Sequence, residues 1–148
     1  MHELRTILLA EDNPKDVELT LEAMEENNLA NQVVVVKDGV EAMEYLQCEG
    51  KYSLRKTGNP AVILLDIKMP RMDGIEVLRR IRSNAALKRI PVVILTSSRE
   101  EKDLINTYDL GVNAYVVKPV SFQQFIDAVK QIGSFWAVVN ELPPEGEM

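Results

Sequence analysis

The sequence predicts an α/β fold, a doubly wound parallel sheet of five strands with a helix after each. Three observations carry that prediction. Apolar runs of strand length alternate with segments of helical period, the pattern of a parallel sheet with crossover helices. One run, Ala61 to Leu65, is unbroken, as happens where both faces of a sheet are covered. Polar or ionisable residues follow the runs directly, at the strand ends where such folds place their chemistry.

The first strand is Thr6 to Ala10, and the helix after it carries Val17, Leu21 and Met24 on one face, with Pro14 suited to the first helical position. Val33 to Val36 is the second strand, followed by a helix with Val40, Met43 and Leu46. Ala61 to Leu65 is the third, and its helix presents Val77, Leu78 and Ile81. Pro91 opens the fourth, Val92 to Leu95, whose helix uses Leu104, Ile105 and Tyr108 before Gly111 ends it. Ala114 to Val117 is the fifth, and the last helix is the most regular, with Phe122, Phe125, Ile126, Val129 and Ile132 at helical spacing. Right-handed crossovers leave few topologies for five such units, and the commonest short one is the flavodoxin-like order 2-1-3-4-5. The loop from Glu49 to Pro60 is long for this architecture and reads as an insertion. A domain over 1–133 is expected, with a C-terminal extension and acidic tail over 134–148.

Composition removes several classes of function. With 148 residues the chain buries roughly 68–70% of its unfolded surface and needs no staples. Its single cysteine, Cys48, cannot form an internal disulfide. A net charge of −6 argues against a nucleic-acid partner, which would require a basic face. The longest apolar runs fall far below the ~20 residues that span a bilayer, so neither a membrane helix nor a signal peptide is expected, and the chain reads as cytoplasmic. Arg71, Arg79, Arg80, Arg82, Lys88 and Arg89 form a locally basic stretch that reads as a solvated face. His2, at the terminus, is poorly placed to act as a ligand.

The strand ends supply the candidate site: Glu11 and Asp12 after the first, Asp66 after the third, Thr96 and Ser97 after the fourth, Lys118 and Pro119 after the fifth. In the order 2-1-3-4-5 these four strands are contiguous, so the set converges. Taken singly, most members have a structural explanation. Asp12 and Asn13 before Pro14 suit a helix N-terminus, and Ser97 or Ser98 with Glu100 or Glu101 suits a capping box. Asp66 is harder to explain that way, because a carboxylate after five apolar residues must reach solvent, a cation or a metal. Three converging carboxylates require a cation between them or a retained proton. Oxygen-only ligands favour a hard ion, Mg²⁺ above all. Lys118 and Thr96 could then hold phosphoryl oxygens, and Asp66 is the best nucleophile.

These residues resemble the receiver domains of two-component response regulators. The resemblance covers about residues 4 to 133 and rests on Glu11-Asp12, Asp66 within Leu65-Asp66-Ile67-Lys68-Met69-Pro70-Arg71-Met72-Asp73-Gly74, Thr96, Tyr115, and Lys118-Pro119, all in order. It implies that Asp66 accepts phosphate from a sensor histidine kinase, and that Asp12, Asp66 and the backbone carbonyl of Lys68 bind Mg²⁺, with Glu11 holding metal-bound water. It further implies that Lys118 contacts the phosphoryl group, that Lys118-Pro119 is cis, and that Thr96 and Tyr115 move together as a switch. The long loop and the apolar Phe135-Trp136-Ala137-Val138-Val139 segment are similar to those of regulators associated with bacterial phytochrome kinases, which suggests a homodimer. Burial of Phe135, Trp136, Val138 and Val139 against their own domain is the other reading.

Two rival functions stand beside this one. A Mg²⁺-dependent phosphatase of the haloacid dehalogenase type would also use Asp66 as nucleophile, but Lys68 stands where its acid-base aspartate belongs. A flavodoxin-like cofactor binder would require a first loop that attracts phosphate, and Glu11-Asp12-Asn13-Pro14 repels it. The resemblance makes the chain a phosphoacceptor signalling protein and not an enzyme.

Overall fold

A computed structural model describes residues 6–26, 29, 32–56, 58–106 and 109–131. In chain order they form β1 (Ile7–Ala10), α1 (Pro14–Glu25), β2 (Val33–Val36), α2 (Gly39–Gln47), β3 (Val62–Asp66), α3 (Gly74–Ser83), β4 (Val92–Thr96), α4 (Arg99–Asn106), β5 (Ala114–Val117) and α5 (Phe122–Gln131). All pairings are parallel, in the order β2-β1-β3-β4-β5. Tyr108, Ile132 and the segment Gly133 to Leu142, with Phe135, Trp136, Val138 and Val139, lie outside the described residues, as does the side chain of Leu104. Among the described residues no helix is long and apolar enough to cross a membrane.

Alternation along the strands sorts the core into two layers. Leu8, Ile63, Leu65 and Ile94 face one side, where Met43 and Leu46 of α2, Val77, Leu78 and Ile81 of α3, and Ile105 of α4 cover them. Ile7, Leu9, Leu64, Val93 and Leu95 face the other, under Met24 of α1 and Phe125, Ile126 and Val129 of α5. β1, β3 and β4 are buried throughout. Val17, Leu21 and Val40, expected in the core, are half-buried at its rim.

The ladders run further than the apolar runs do. β1 begins at Ile7, one residue after the expected start, while β3 is shifted onto Asp66 and β4 extended onto Thr96. Asp66 is in register with Leu95, and Thr96 with Val117. Ladder bonds come from the backbone, so a polar side chain at the open end does not stop them. α1 is capped by Asn13, whose Oδ1 accepts from Lys15 N (2.9 Å) and Asp16 N (3.2 Å), and Asp12 is left free of capping duty. The described part of α4 runs Arg99–Asn106, and Gly111 takes φ +68° ahead of β5.

The 49–60 insertion is pinned to α2. It contains a 3₁₀ turn (Gly50–Tyr52), and the Tyr52 hydroxyl donates to Glu41 Oε2 (2.7 Å) beside Lys51 Nζ at the same oxygen (2.7 Å). Arg55 lies 4.2 Å over the Tyr45 ring and donates to the carbonyls of Tyr45 and Gly58. The basic stretch is solvated as expected at Arg71, Arg79, Arg80, Lys88 and Arg89, which are exposed, and half-buried at Arg82. Arg71 pairs with Asp38, and Arg79 and Arg80 pair with Glu76. Arg82 donates to the carbonyls of Lys88, Ile90, Leu110 and Gly111, joining α3 to the approaches of β4 and β5.

Two glycines seat the loop that follows Asp66. A Cβ at Gly74 would lie 2.3 Å from the Asp66 carbonyl oxygen and 2.9 Å from Ile67 Cα, and one at Gly39 would lie 2.1 Å from the Met72 carbonyl oxygen. Both obstacles are backbone, so neither can give way cheaply. Gly74→Ala should therefore destabilise the fold by about 1–3 kcal/mol through overpacking, read as a lower urea midpoint at unchanged slope. A change within the noise of the measurement would show that the loop has slack.

Candidate functional site

The C-terminal ends of β1, β3, β4 and β5 bring the expected residues to one crevice. Glu11 follows β1, and its N–H donates to the Val36 carbonyl (3.0 Å), so its backbone continues the ladder with β2. Its carboxylate is 1% exposed, with Oε2 accepting from Asn13 N (3.2 Å) and Oε1 lying 3.1 Å from Lys118 Nζ. Asp66 closes β3, its Oδ1 accepting from Ile67 N (3.0 Å) and lying 3.3 Å from Lys118 Nζ. Thr96 closes β4, buried, and its carbonyl accepts from Lys118 N (2.8 Å), which ties the lysine's backbone to the neighbouring strand. The Lys118-Pro119 peptide bond is cis.

Asp12 is exposed, yet an oxygen from each of Glu11, Asp12 and Asp66 lies within 4.8 Å of the other two. Three hard, anionic oxygens at that spacing suit a divalent cation, and the donor set fits Mg²⁺ or Mn²⁺ better than a thiophilic ion. Lys68 sits on the loop two residues past Asp66, and its ammonium reaches away to Glu101 Oε2 (3.5 Å). The Tyr115 hydroxyl donates to Asn106 Oδ1 at the end of α4, and the ring is half-buried against the α2–α4 layer.

Burial and crowding set the charge states. Burial first, and the adjacent Asp66 second, push the Glu11 carboxyl up to about 7. Burial also raises Asp66, while the Lys118 ammonium opposes the shift. Burial works against the charge on Lys118, but Asp66 and Glu11 outweigh it and hold the ammonium well above its ordinary range. Near neutral pH the metal-free crevice therefore keeps one carboxyl partly protonated beside a lysine that stays charged. Such a crevice can present a carboxylate oxygen to an electrophile and hold an anionic group against Lys118.

One residue was not anticipated from the sequence, and one expected cap is found in altered form. Asp16, on the first turn of α1, places Oδ2 3.2 Å from Lys118 Nζ. Glu101, in α4, accepts from Ser97 N (2.8 Å), while its own N–H donates to Ser98 Oγ (3.3 Å), a capping box displaced by one residue. The rival readings find no support in this geometry. The Lys68 side chain is an exposed partner of Glu101 and turns away from Asp66, and in the Glu11–Pro14 loop the Asn13 N–H is already taken by the Glu11 carboxylate.

The sequence matches the family described as response regulator receiver domain over residues 7–130. It is 40% identical over 139 residues to the response regulator Rcp1 of Synechocystis sp., covering 94% of this chain and 93% of that protein. Among solved structures, the bacteriophytochrome response regulator AtBRR superposes with a TM-score of 0.88 at 58% identity, covering 95% of this chain and all of that one. The phosphorylated cyanobacterial phytochrome response regulator RcpA superposes at 0.73 with 43% identity, covering 95% of this chain and 99% of that one. The Mn²⁺-bound form of Rcp1 superposes at 0.70 with 40% identity over 94% of this chain and 99% of that one. The chain belongs to the response regulator receiver domains, phosphoacceptor signalling proteins rather than enzymes.

Proposed function

We propose that Asp66 accepts a phosphoryl group from a sensor histidine kinase of the phytochrome class, with Mg²⁺ as the resident cation. One observation carries this reading: Lys118 Nζ stands 3.1 Å from Glu11 and 3.3 Å from Asp66, within the only carboxylate group among the described residues spaced to hold a metal. The phytochrome partner is supported by the likeness to AtBRR and RcpA. Asp12, Asp66 and the Lys68 carbonyl would hold the cation, with Glu11 holding its water. When bound, Mg²⁺ neutralises the crowded oxygens and the charge of the incoming phosphoryl group.

The chain's own residues do the rest. β3 and the Ile67 N–H fix the Asp66 carboxylate, so one oxygen attacks phosphorus while the donor's bond to phosphorus breaks and its electrons leave with the donor. Lys118 stays charged and pairs with a phosphoryl oxygen. Thr96 offers its hydroxyl to another, which favours a state in which Tyr115 leaves Asn106 and turns inward. The same reading has a cytoplasmic receiver over 1–133, with 134–148 pairing two copies through Phe135, Trp136, Val138 and Val139.

Acetyl phosphate with Mg²⁺ should add one phosphoryl group to the wild type by intact mass, and none to Asp66→Asn or to chelator-treated protein. An autophosphorylated phytochrome kinase should transfer faster than an unrelated kinase. Labelling of Asp66→Asn at the wild-type rate would remove Asp66 from its role.

The charge balance gives a second expectation. A carboxyl raised from 4.5 to about 7 binds more protons folded than unfolded between those values, so metal-free stability falls as pH rises through that window. Mg²⁺ needs the deprotonated form, so binding near pH 7 should release a proton, with affinity falling by at most about tenfold per unit below it. Calorimetry in buffers of different ionisation enthalpy reads the release directly, and buffer-independent heats would contradict it.

For the pairing, sedimentation of the full chain should show a dimer that removal of 134–148 converts to monomer. A monomeric full chain would favour the fold-back arrangement.

A further inference from the structure

Lys118 has a partner that the metal group does not use. Its ammonium lies 3.2 Å from Asp16 Oδ2, as close as it lies to Glu11 and Asp66. Glu11 and Asp66 belong to the carboxylates spaced to hold a cation, and Asp16 does not. Asp16 is also firmly placed. Pro14 opens α1, the Asp16 N–H donates to Asn13 Oδ1 (3.2 Å), and the Asp16 carbonyl accepts from the hydroxyl of buried Thr20 (2.9 Å). A carboxylate in the first turn is further favoured by the helix dipole.

An ammonium has three N–H donors, and here three carboxylates surround it. Glu11 and Asp66 weaken as acceptors once a cation shares their oxygens or Asp66 carries a phosphoryl group. Asp16 does not change. We propose that Asp16 is a positioning residue that anchors the Lys118 ammonium at the mouth of the crevice, keeping one donor and leaving the others for phosphoryl oxygens. Asp16 takes no part in bond making: Asp66 forms the O–P bond, and with acetyl phosphate the acetate leaves with the electron pair. Without the anchor, the flexible lysine stem lets the ammonium settle on Asp66 and tie up the attacking oxygen. The proposal rests on Asp66 being the phosphoacceptor.

The test is the labelling rate with acetyl phosphate by intact mass, each variant held at saturating Mg²⁺ so that metal affinity does not enter. Asp16→Ala should slow labelling about five- to tenfold, the scale of coupling between neighbouring charged groups. Asp16→Asn keeps the shape and an acceptor oxygen, should lose less, and answers the question if the alanine variant fails to fold. The discriminating arm is Lys118→Ala, followed over longer times. In that background Asp16→Ala should cost nothing further, because the residue acts only through the lysine. A wild-type rate in both Asp16 variants, or the same loss with and without Lys118, would overturn the proposal while leaving the phosphoacceptor intact. An unlabelled wild type would instead remove Asp66 from its role and this proposal with it.

Discussion

The structure turns on a charge imbalance at the end of the sheet. Four carboxylates gather there: Glu11, Asp16 and Asp66 surround one ammonium, that of Lys118, and Asp12 lies within 4.8 Å of Glu11 and Asp66. Two of the four are almost wholly buried, and burial of like charges is tolerable only where something offsets it. Backbone N–H groups of Asn13 and Ile67 take part of that load, and the lysine takes more. What remains pushes the Glu11 carboxyl up to about 7, and a divalent ion among these oxygens would offset it. Under the proposed function, this crowding is what would ready an Asp66 oxygen for acylphosphate chemistry.

Most of the scaffold was legible because it rests on patterns that the chain writes locally. Unbroken runs such as Ile63 to Leu65 and Val92 to Leu95 announce central parallel strands, and the two-sided core follows from them. The misplaced C-terminal ends of β3 and β4 have one cause. Polarity changes at Asp66 and Thr96, but the backbone ladder does not, so the two residues taken as following their strands are the last rungs of them. That one-residue difference matters to the chemistry, since a strand residue holds its side chain more rigidly than a loop residue does.

Tertiary partners were the illegible part. Arg82 looked like one more basic residue of α3, yet it donates to backbone carbonyls, which have no side-chain signature in a sequence. Asp16 was hidden for a different reason: an acidic residue in a first helical turn needs no explanation beyond the helix itself, and its partner lies 102 residues away. The strand-end residues were found because the fold's topology brings them together whatever their neighbours do. Helix-borne contributors carry no such guarantee.

The connection from the crevice to the outer surface runs through α4. Near its start, Glu101 accepts from Ser97, the residue after Thr96, and pairs with Lys68 from the loop after Asp66. At its end, Asn106 accepts from Tyr115 on β5. The described part of α4 is thus held near both its limits by residues on or adjoining β3, β4 and β5. Under the proposed function, a displacement of Thr96 toward a phosphoryl oxygen would strain the first contact, and an inward turn of Tyr115 would break the second. Packed interiors change between discrete arrangements more readily than they deform, so the two contacts favour a joint shift of α4 over a graded one. Under the proposed function, the surface that would report phosphorylation is the one this helix shares with β5, set by two polar clasps whose other ends lie on or beside the strands that build the site.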